Sequence, residues 1–341
     1  MHMQSINRKI KEKDTLFKWI FLFAAGLSIL IWACLLFGDP EGLQKNVFFQ
    51  DAKDWFMDFF NTVYYSVGKS PYTWGNPANR NYLPIAYLIV YPFTALYAYA
   101  MGNDQSPYLA RYTQLNEIAV LLFTGISMLL LLYLLYRACK GSESLRVFTV
   151  AVLALCGVSL FSYDRANQII LSTALACAFL MTYRSKKRAL NHLGFLCLAL
   201  SASLKLFPAF LGILLLYDKR YKDALITVFY GLLFAFVPFL WLQGSLAENL
   251  TGYVAAVKAH ALSYSGGALG LGAPSVLNTI YPSFMTGISL AITLLAVVAA
   301  GFQKSEWKRV LTISLTMALA SGQQAYYCLL ILYYPLVLFL N

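Results

Sequence analysis

Residues 114–136 read QLNEIAVLLFTGISMLLLLYLLY, an almost uncharged stretch long enough to cross the ~30 Å hydrocarbon core of a bilayer as one helix. Working outward, further apolar runs occupy 16–37, 82–101, 147–161, 169–183, 190–204, 206–217, 224–242, 284–302, 310–320 and 326–340. Several fall short of the ~20 residues a straight span needs, so they extend into their flanks, tilt, or turn back within the membrane. Across 341 residues the chain is 60% hydrophobic and 12% charged, with a mean hydropathy of +0.62, which excludes a soluble globular domain. The expected fold is all-α, a single polytopic transmembrane domain over 1–341 with about ten membrane segments, some short or re-entrant.

The net charge of +11 does not point to nucleic acid, because the basic residues sit in short clusters between apolar runs, where they fix topology. The clusters are Arg8, Lys9, Lys11, Lys13 and Lys18; Arg137, Lys140 and Arg146; Arg184, Lys186, Lys187 and Arg188; Lys219, Arg220 and Lys222; and Lys304, Lys308 and Arg309. A common cytoplasmic side for all five puts a first loop at 38–81, the link around Arg165, the break Lys205-Leu206-Phe207-Pro208 and a second long loop at 244–283 on the outer side. An even number of crossings must then join the start to Arg137, although three runs lie between. The run 82–101, interrupted by Pro84 and Pro92, is the expected re-entrant or half-depth segment; otherwise Arg137 and Lys140 depart from the charge rule.

The first run, 16–37, lacks a small-x-small cleavage site and reads as an uncleaved anchor. Six cysteines show neither CxxC nor metal spacing, so no disulfide framework or zinc site is expected. Of the histidines only His260 stands where chemistry would use it. The glycines Gly266, Gly267, Gly270 and Gly272 mark a mobile outer loop.

Asp51 to Pro84 is the one long polar stretch rich in both acids and aromatics. Asp51, Asp54 and Asp58 stand at i, i+3 and i+7, so a helix over 51–67 lines them up with Asn61, Thr62 and Tyr65. The opposite face carries Trp55, Phe56, Phe59, Phe60, Val63 and Tyr64, the pattern of an amphipathic helix lying in the membrane interface. Interfacial helices are ordinarily basic, and three carboxylates ask for another reason. Charges closely flanked by apolar runs are expensive, which singles out Asp164-Arg165-Ala166-Asn167-Gln168 and Lys205. The plainer alternatives are a local Asp164–Arg165 pair and a snorkelling Lys205. Aromatics near the outer interface, Tyr72, Trp74, Tyr82, Tyr253 and Tyr264, are explained by a belt. Carboxylates, cations and a histidine beside a lipid-accessible body suit a reaction in which a lipid phosphate leaves and a hydroxyl attacks, one carboxylate taking the proton and Arg or Lys holding the phosphate.

The ordered pieces resemble GT-C membrane glycosyltransferases, within them glycosyltransferase family 87 and the GPI mannosyltransferase I type. They are the loop acids, Gly68-Lys69-Ser70-Pro71-Tyr72, Asn81-Tyr82-Leu83-Pro84, Arg165-Ala166-Asn167 for Arg-Gly-Asn, Lys205-Leu206-Phe207-Pro208 for Lys-x-Tyr-Pro, and Gln323-Gln324-Ala325-Tyr326-Tyr327. Ala166 and Phe207 depart from the family's Gly and Tyr. The resemblance implies a GT-C fold and a cell-membrane enzyme that transfers a mannose-like hexose, with inversion, from a polyprenyl-phosphate donor to a glycan or glycolipid acceptor on the extracytoplasmic side. It assigns the general base to Asp58, with Asp54 second and Asp51 third, and the donor phosphate to Arg165 and Lys205. His260, Asn167, Gln324, Tyr72 and Tyr82 complete the expected substrate-binding set. No cofactor is required, although some related enzymes use a divalent metal, which the carboxylates would hold. Membrane lipid is an expected partner and nucleic acid is not. The rival readings are a transporter or flippase of lipid-linked sugars, a polymerase or ligase of surface polysaccharide, and an inactive assembly partner.

Overall fold

A computed structural model describes residues 19, 22–31, 33–35, 37–39, 42, 54–102, 106–264, 282–320 and 326–341. Among them all regular structure is helical. The principal helices are α1 (Met57–Ser66), α2 (Pro84–Val90), α3 (Thr94–Met101), α4 (Gln114–Ala138), α5 (Glu143–Leu155), α6 (Gly157–Arg165), α7 (Ile169–Thr182), α8 (Arg188–Leu204), α9 (Tyr221–Phe236), α10 (Leu246–Tyr264), α11 (Pro282–Phe302), α12 (Glu306–Ala320) and α13 (Tyr333–Leu340).

Three helical stretches, Pro84–Met101, Gln114–Ala138 and Tyr221–Trp241, are long and apolar enough to cross a membrane, and a fourth arises if α5 and α6, bent by 52°, form one broken span. Shorter apolar helices cover Ile169–Thr182, Phe207–Tyr217, Ala291–Phe302 and Tyr326–Leu340. The run 82–101, expected to be re-entrant or half-depth, is helical over Pro84–Met101, and its flanks Tyr82 and Arg111 both reach the end of the bundle that holds Lys205 and Trp55. Pro84 sits at the helix start, where its missing N–H removes no bond, and Pro92 lies in a single 3-10 turn. The sharp break falls at Cys156, which is extended between α5 and α6. The carbonyl of Leu153 accepts from the Ser159 hydroxyl at 2.6 Å, and Tyr333 Oη lies 2.7 Å from Ser159 Oγ and 2.6 Å from Cys156 Sγ. Side chains thus satisfy the backbone group that the kink frees.

Small residues bring α7 and α8 together. Ser172 and Ser201 each donate to the other's carbonyl, at 3.0 and 2.6 Å, and Gly194 leaves no room for a Cβ beside Thr182. Around them a core of Leu131, Ile169, Phe179, Phe195, Leu198 and Ile313 joins α4, α7, α8 and α12.

At one end of this bundle Asp218 takes Arg184 through two bonds of 2.7 Å and lies 3.7 Å from Arg309, while Glu306 lies 3.5 Å from Arg184. Trp307 packs on Phe339 with ring centroids 5.1 Å apart, and the Asn341 side chain bonds Ala138 O and Lys140 N. Four of the basic clusters therefore share one end, as their spacing between apolar runs implies; the first, 8–18, lies outside the described residues. Arg165 and Lys205 terminate α6 and α8 at the other end.

The first loop differs from expectation in two ways. Its helix begins at Met57, not at 51, because Phe56 adopts φ 59° and donates its N–H to Asp164 O at 2.6 Å. Nor does α1 lie with one face in lipid: Phe59, Phe60 and Val63 are buried in one apolar cluster, and Thr62, Tyr65 and Ser66 on the other side are buried too. Phe59 meets Phe93 on one face and Tyr65 meets Trp74 on the other, so protein encloses both. The second long loop opens as the helix α10, seated on the 77–79 turn. Gly252 is needed there, since a Cβ would strike Tyr72. The glycine tract that follows falls outside the described residues.

Candidate functional site

The site is organised by the corner between α6 and α7. Ala166 ends α6 with φ 48° and ψ 41°, a left-handed turn that an L-residue adopts at about 1–2 kcal/mol and that glycine adopts freely. Its methyl is fully buried in the cluster that holds Phe59 and Phe60. The turn throws Arg165 and Asn167 toward the first loop. Asn167 accepts the Ile169 N–H at 2.9 Å on Oδ1, starting α7, and donates through Nδ2 to Asp58 Oδ2. Gln168 donates to Ala86 O at 2.9 Å.

Arg165 joins two of the three aspartates. Its Nη1 donates to the Asp54 carboxylate and, at 3.1 Å, to the Asp54 carbonyl, while Nη2 donates to Asp58 Oδ1. The side chains of Arg165 and Asp58 are each 14% exposed and that of Asp54 39%. Two further contacts fix the same turn from outside: Phe56 N–H to Asp164 O, and Arg111, buried and bonded to Tyr108 O at 3.0 Å, to Trp55 O at 3.4 Å. The bonds of this corner run between segments distant in sequence. Asp164 contributes its carbonyl, and Arg165 reaches across the chain.

Burial alone would push the Asp58 carboxyl upward. The Arg165 charge and hydrogen bond, then the Asn167 bond and the more distant Lys205, outweigh it and hold the group below the usual carboxylate range. Asp58 is therefore ionised at neutral pH.

Lys205 follows α8 in an extended conformation and points inward instead of snorkelling. Its Nζ donates to Tyr82 Oη at 3.1 Å and sits 4.5 Å from the Tyr82 ring centroid and 5.6 Å from that of Tyr327. Tyr72 is not part of this surface. Its ring is buried against Tyr87 and Phe239, and its hydroxyl donates to Tyr82 O at 2.6 Å, so it braces Tyr82. His260, half-buried on α10, is 2.8 Å through Nδ1 from Ala78 O and so carries its proton on that nitrogen. Burial lowers its pKa, the carbonyl of Ala78 opposes this and Lys205 reinforces it, leaving a neutral imidazole. Asp51 and Gln324 lie outside the described residues.

Two residues enter that the sequence did not single out. Tyr327 stacks on Phe161 of α6 at 5.6 Å, turns its ring toward Lys205, and lies within electrostatic range of Asp58 and Arg165. Its place in the polar-aromatic stretch 323–327 was the available signal. Arg111 had none, since its role depends on a carbonyl distant in sequence. Among the described residues no three His, Cys, Asp or Glu side chains gather as a metal site, and the two described carboxylates already share Arg165.

The model of glycosyltransferase family 87 matches residues 81–322. The match includes Arg165, Asn167, Lys205 and His260 and begins after Asp54 and Asp58. No curated protein and no solved structure matches the chain.

Proposed function

The chain belongs to glycosyltransferase family 87, consistent with a GT-C type membrane glycosyltransferase, and from that premise we propose that it transfers a mannose-like hexose from a polyprenyl-phosphate donor to a glycan or lipid-linked acceptor. The contact of Arg165 with Asp54 and Asp58 carries this reading. A phosphate leaving group needs a fixed cation and an attacking hydroxyl needs an acceptor for its proton, and the corner offers both side by side.

In the proposed step the acceptor oxygen forms a bond to the anomeric carbon while the bond from that carbon to the phosphate oxygen breaks. The electron pair leaves with the polyprenyl phosphate. The hydroxyl proton passes to Asp58, and the single displacement inverts the anomeric centre, for which one base suffices. Asp58 is preferred over Asp54 because it is the more enclosed of the two and is oriented by both Arg165 and Asn167. Arg165 and Lys205 receive the growing phosphate charge. Tyr82 holds Lys205 in place, and neutral His260 and Gln324 offer hydrogen bonds to phosphate or sugar. No step is routed through a metal.

The reaction side is extracytoplasmic in this reading. Its support is that four basic clusters, the expected cytoplasmic markers, gather at the end of the bundle opposite Arg165 and Lys205. The shorter apolar helices then count as further membrane segments, which makes eight with the four longer ones named above, toward the expected total of about ten. The decisive experiment supplies purified protein with a panel of polyprenyl-phosphate sugars and identifies products by mass spectrometry. Transfer from a hexose donor that disappears in Asp58→Asn supports the reading; full activity of that variant moves the base to Asp54 or Asp51, and full activity of all three Asn variants rejects the mechanism.

A further inference from the structure

The closeness of Arg165 to both aspartates raises a chemical difficulty. The guanidinium proposed to hold the donor phosphate is already bonded to Asp54 and Asp58, and both oxygens of the proposed base are hydrogen-bonded, one to Arg165 and one to Asn167. A carboxylate so engaged is a weak proton acceptor. Among the described residues, Asp54 and Asp58 on the first loop contact Arg165, Lys205 after α8 lies within electrostatic range of Asp58, and Tyr327 adds a neutral hydroxyl.

We infer that the contact of Arg165 with Asp54 and Asp58 is the closed resting state of the donor site, in which the two carboxylates occupy the guanidinium until a lipid-linked phosphate displaces them and leaves Asp58 to the acceptor. This deepens the proposed function and rests on its assignment of Arg165 to the donor phosphate. Three observations carry it. Arg165 presents its planar fork to carboxylates as it would to phosphate oxygens. The side chain of Asp54 is 39% exposed, so water can solvate it once it is released, whereas Asp58 at 14% stays enclosed beside the site. An arriving phosphodiester also adds one negative charge to the group of Arg165, Asp54 and Asp58, and Asp58 offsets it by taking the acceptor's proton. Donor binding would thus precede and create the basicity that the transfer needs, and a site without donor would not deprotonate a hydroxyl or water.

The apparent affinity of a site closed most of the time is reduced by the open fraction, so a pair closed about 90% of the time hides about tenfold. The test measures binding of polyprenyl phosphate, with no sugar and no turnover, to the full chain in lipid nanodiscs. The inference expects Asp54→Asn to bind about tenfold tighter than the unaltered protein, and expects that gain to vanish when Arg165→Ala is also present. Equal tightening with and without Arg165 would reduce the effect to long-range charge and overturn the inference. Unchanged or weaker binding by Asp54→Asn, with Arg165→Ala still impairing binding, overturns it while sparing the phosphate role of Arg165. Binding indifferent to Arg165→Ala rejects that role and the inference with it. Should Asp54→Asn fail to fold by gel filtration, Asp54→Ser removes the same charge with a smaller side chain and is read in the same way.

Discussion

The two ends of the bundle each carry a network of Arg–Asp pairs, and the pairs differ less in chemistry than in surroundings. At the basic end Arg184 is 42% exposed and meets Asp218 through two bonds of 2.7 Å, with Arg309 and Glu306 as alternative partners. At the other end Arg165 and Asp58 are each 14% exposed and Asp54 39%, and the proposed function gives each a separate task. The first network is redundant, and Arg184 and Glu306 in it are open to water although Asp218 is 18% exposed, so the loss of one member is absorbed by the others and by water. The second is enclosed, and the loss of one member leaves a charge without compensation. Under the proposed function, ion pairs of similar geometry therefore serve as a staple in one place and as a working part in the other.

That contrast is sharpest in activity. Asp58→Asn should lower transfer from polyprenyl-phosphate hexose by about 10² to 10⁴, measured as product formed by folded protein, whereas Asp218→Asn at the basic end should leave the rate within about twofold. A loss of comparable size in both would erase the distinction. In stability, Arg165→Ala strands the enclosed carboxylate of Asp58 and should cost about 3 kcal/mol, read as a fall in thermal or denaturant midpoint in detergent. Arg184→Ala should cost about 0.2–1 kcal/mol by the same measurement.

Acid should reveal the same difference without mutation. Because Asp58 titrates below the ordinary carboxylate value of about 4, its stabilising contribution is fully present above that pH and fades as the pH falls through its folded value. Thermal midpoints of the unaltered protein should thus decline more steeply on acidification than those of Asp58→Asn; parallel profiles would mean that Arg165 does not favour the charged form. The smallest effect is expected at the corner itself. Ala166→Gly relieves a left-handed backbone but removes a buried methyl worth about 0.8 kcal/mol, so the midpoint should move by less than about 0.5 kcal/mol in either direction.

Much of this arrangement was legible in the sequence. Arg165 and Lys205 stand out because apolar runs flank them closely, and both sit at helix ends facing one site. Asp54 and Asp58 stand out for their spacing, although the helix expected to hold both holds only Asp58. The start of α1 was not legible, since it depends on Phe56 bonding a carbonyl more than a hundred residues away. The enclosure of α1 was missed for a different reason. Tyr65 and Thr62 count as polar in a helical pattern, yet Tyr65 packs beside Trp74, and the Thr62 hydroxyl bonds the Asp58 carbonyl one turn back. Likewise Tyr72 looks like a surface aromatic until its hydroxyl is seen on Tyr82. Residues whose role is to place another residue leave little trace in a linear pattern.

The bond from Phe56 to Asp164 has a practical consequence for anyone dividing this chain into pieces. A fragment cut to residues 81–322 would retain the guanidinium of Arg165 and the ammonium of Lys205 and discard the acids that neutralise them. Such a fragment should misassemble around a stranded positive charge or scavenge any small anion offered to it, and an assay run on it would report that artefact in place of the enzyme.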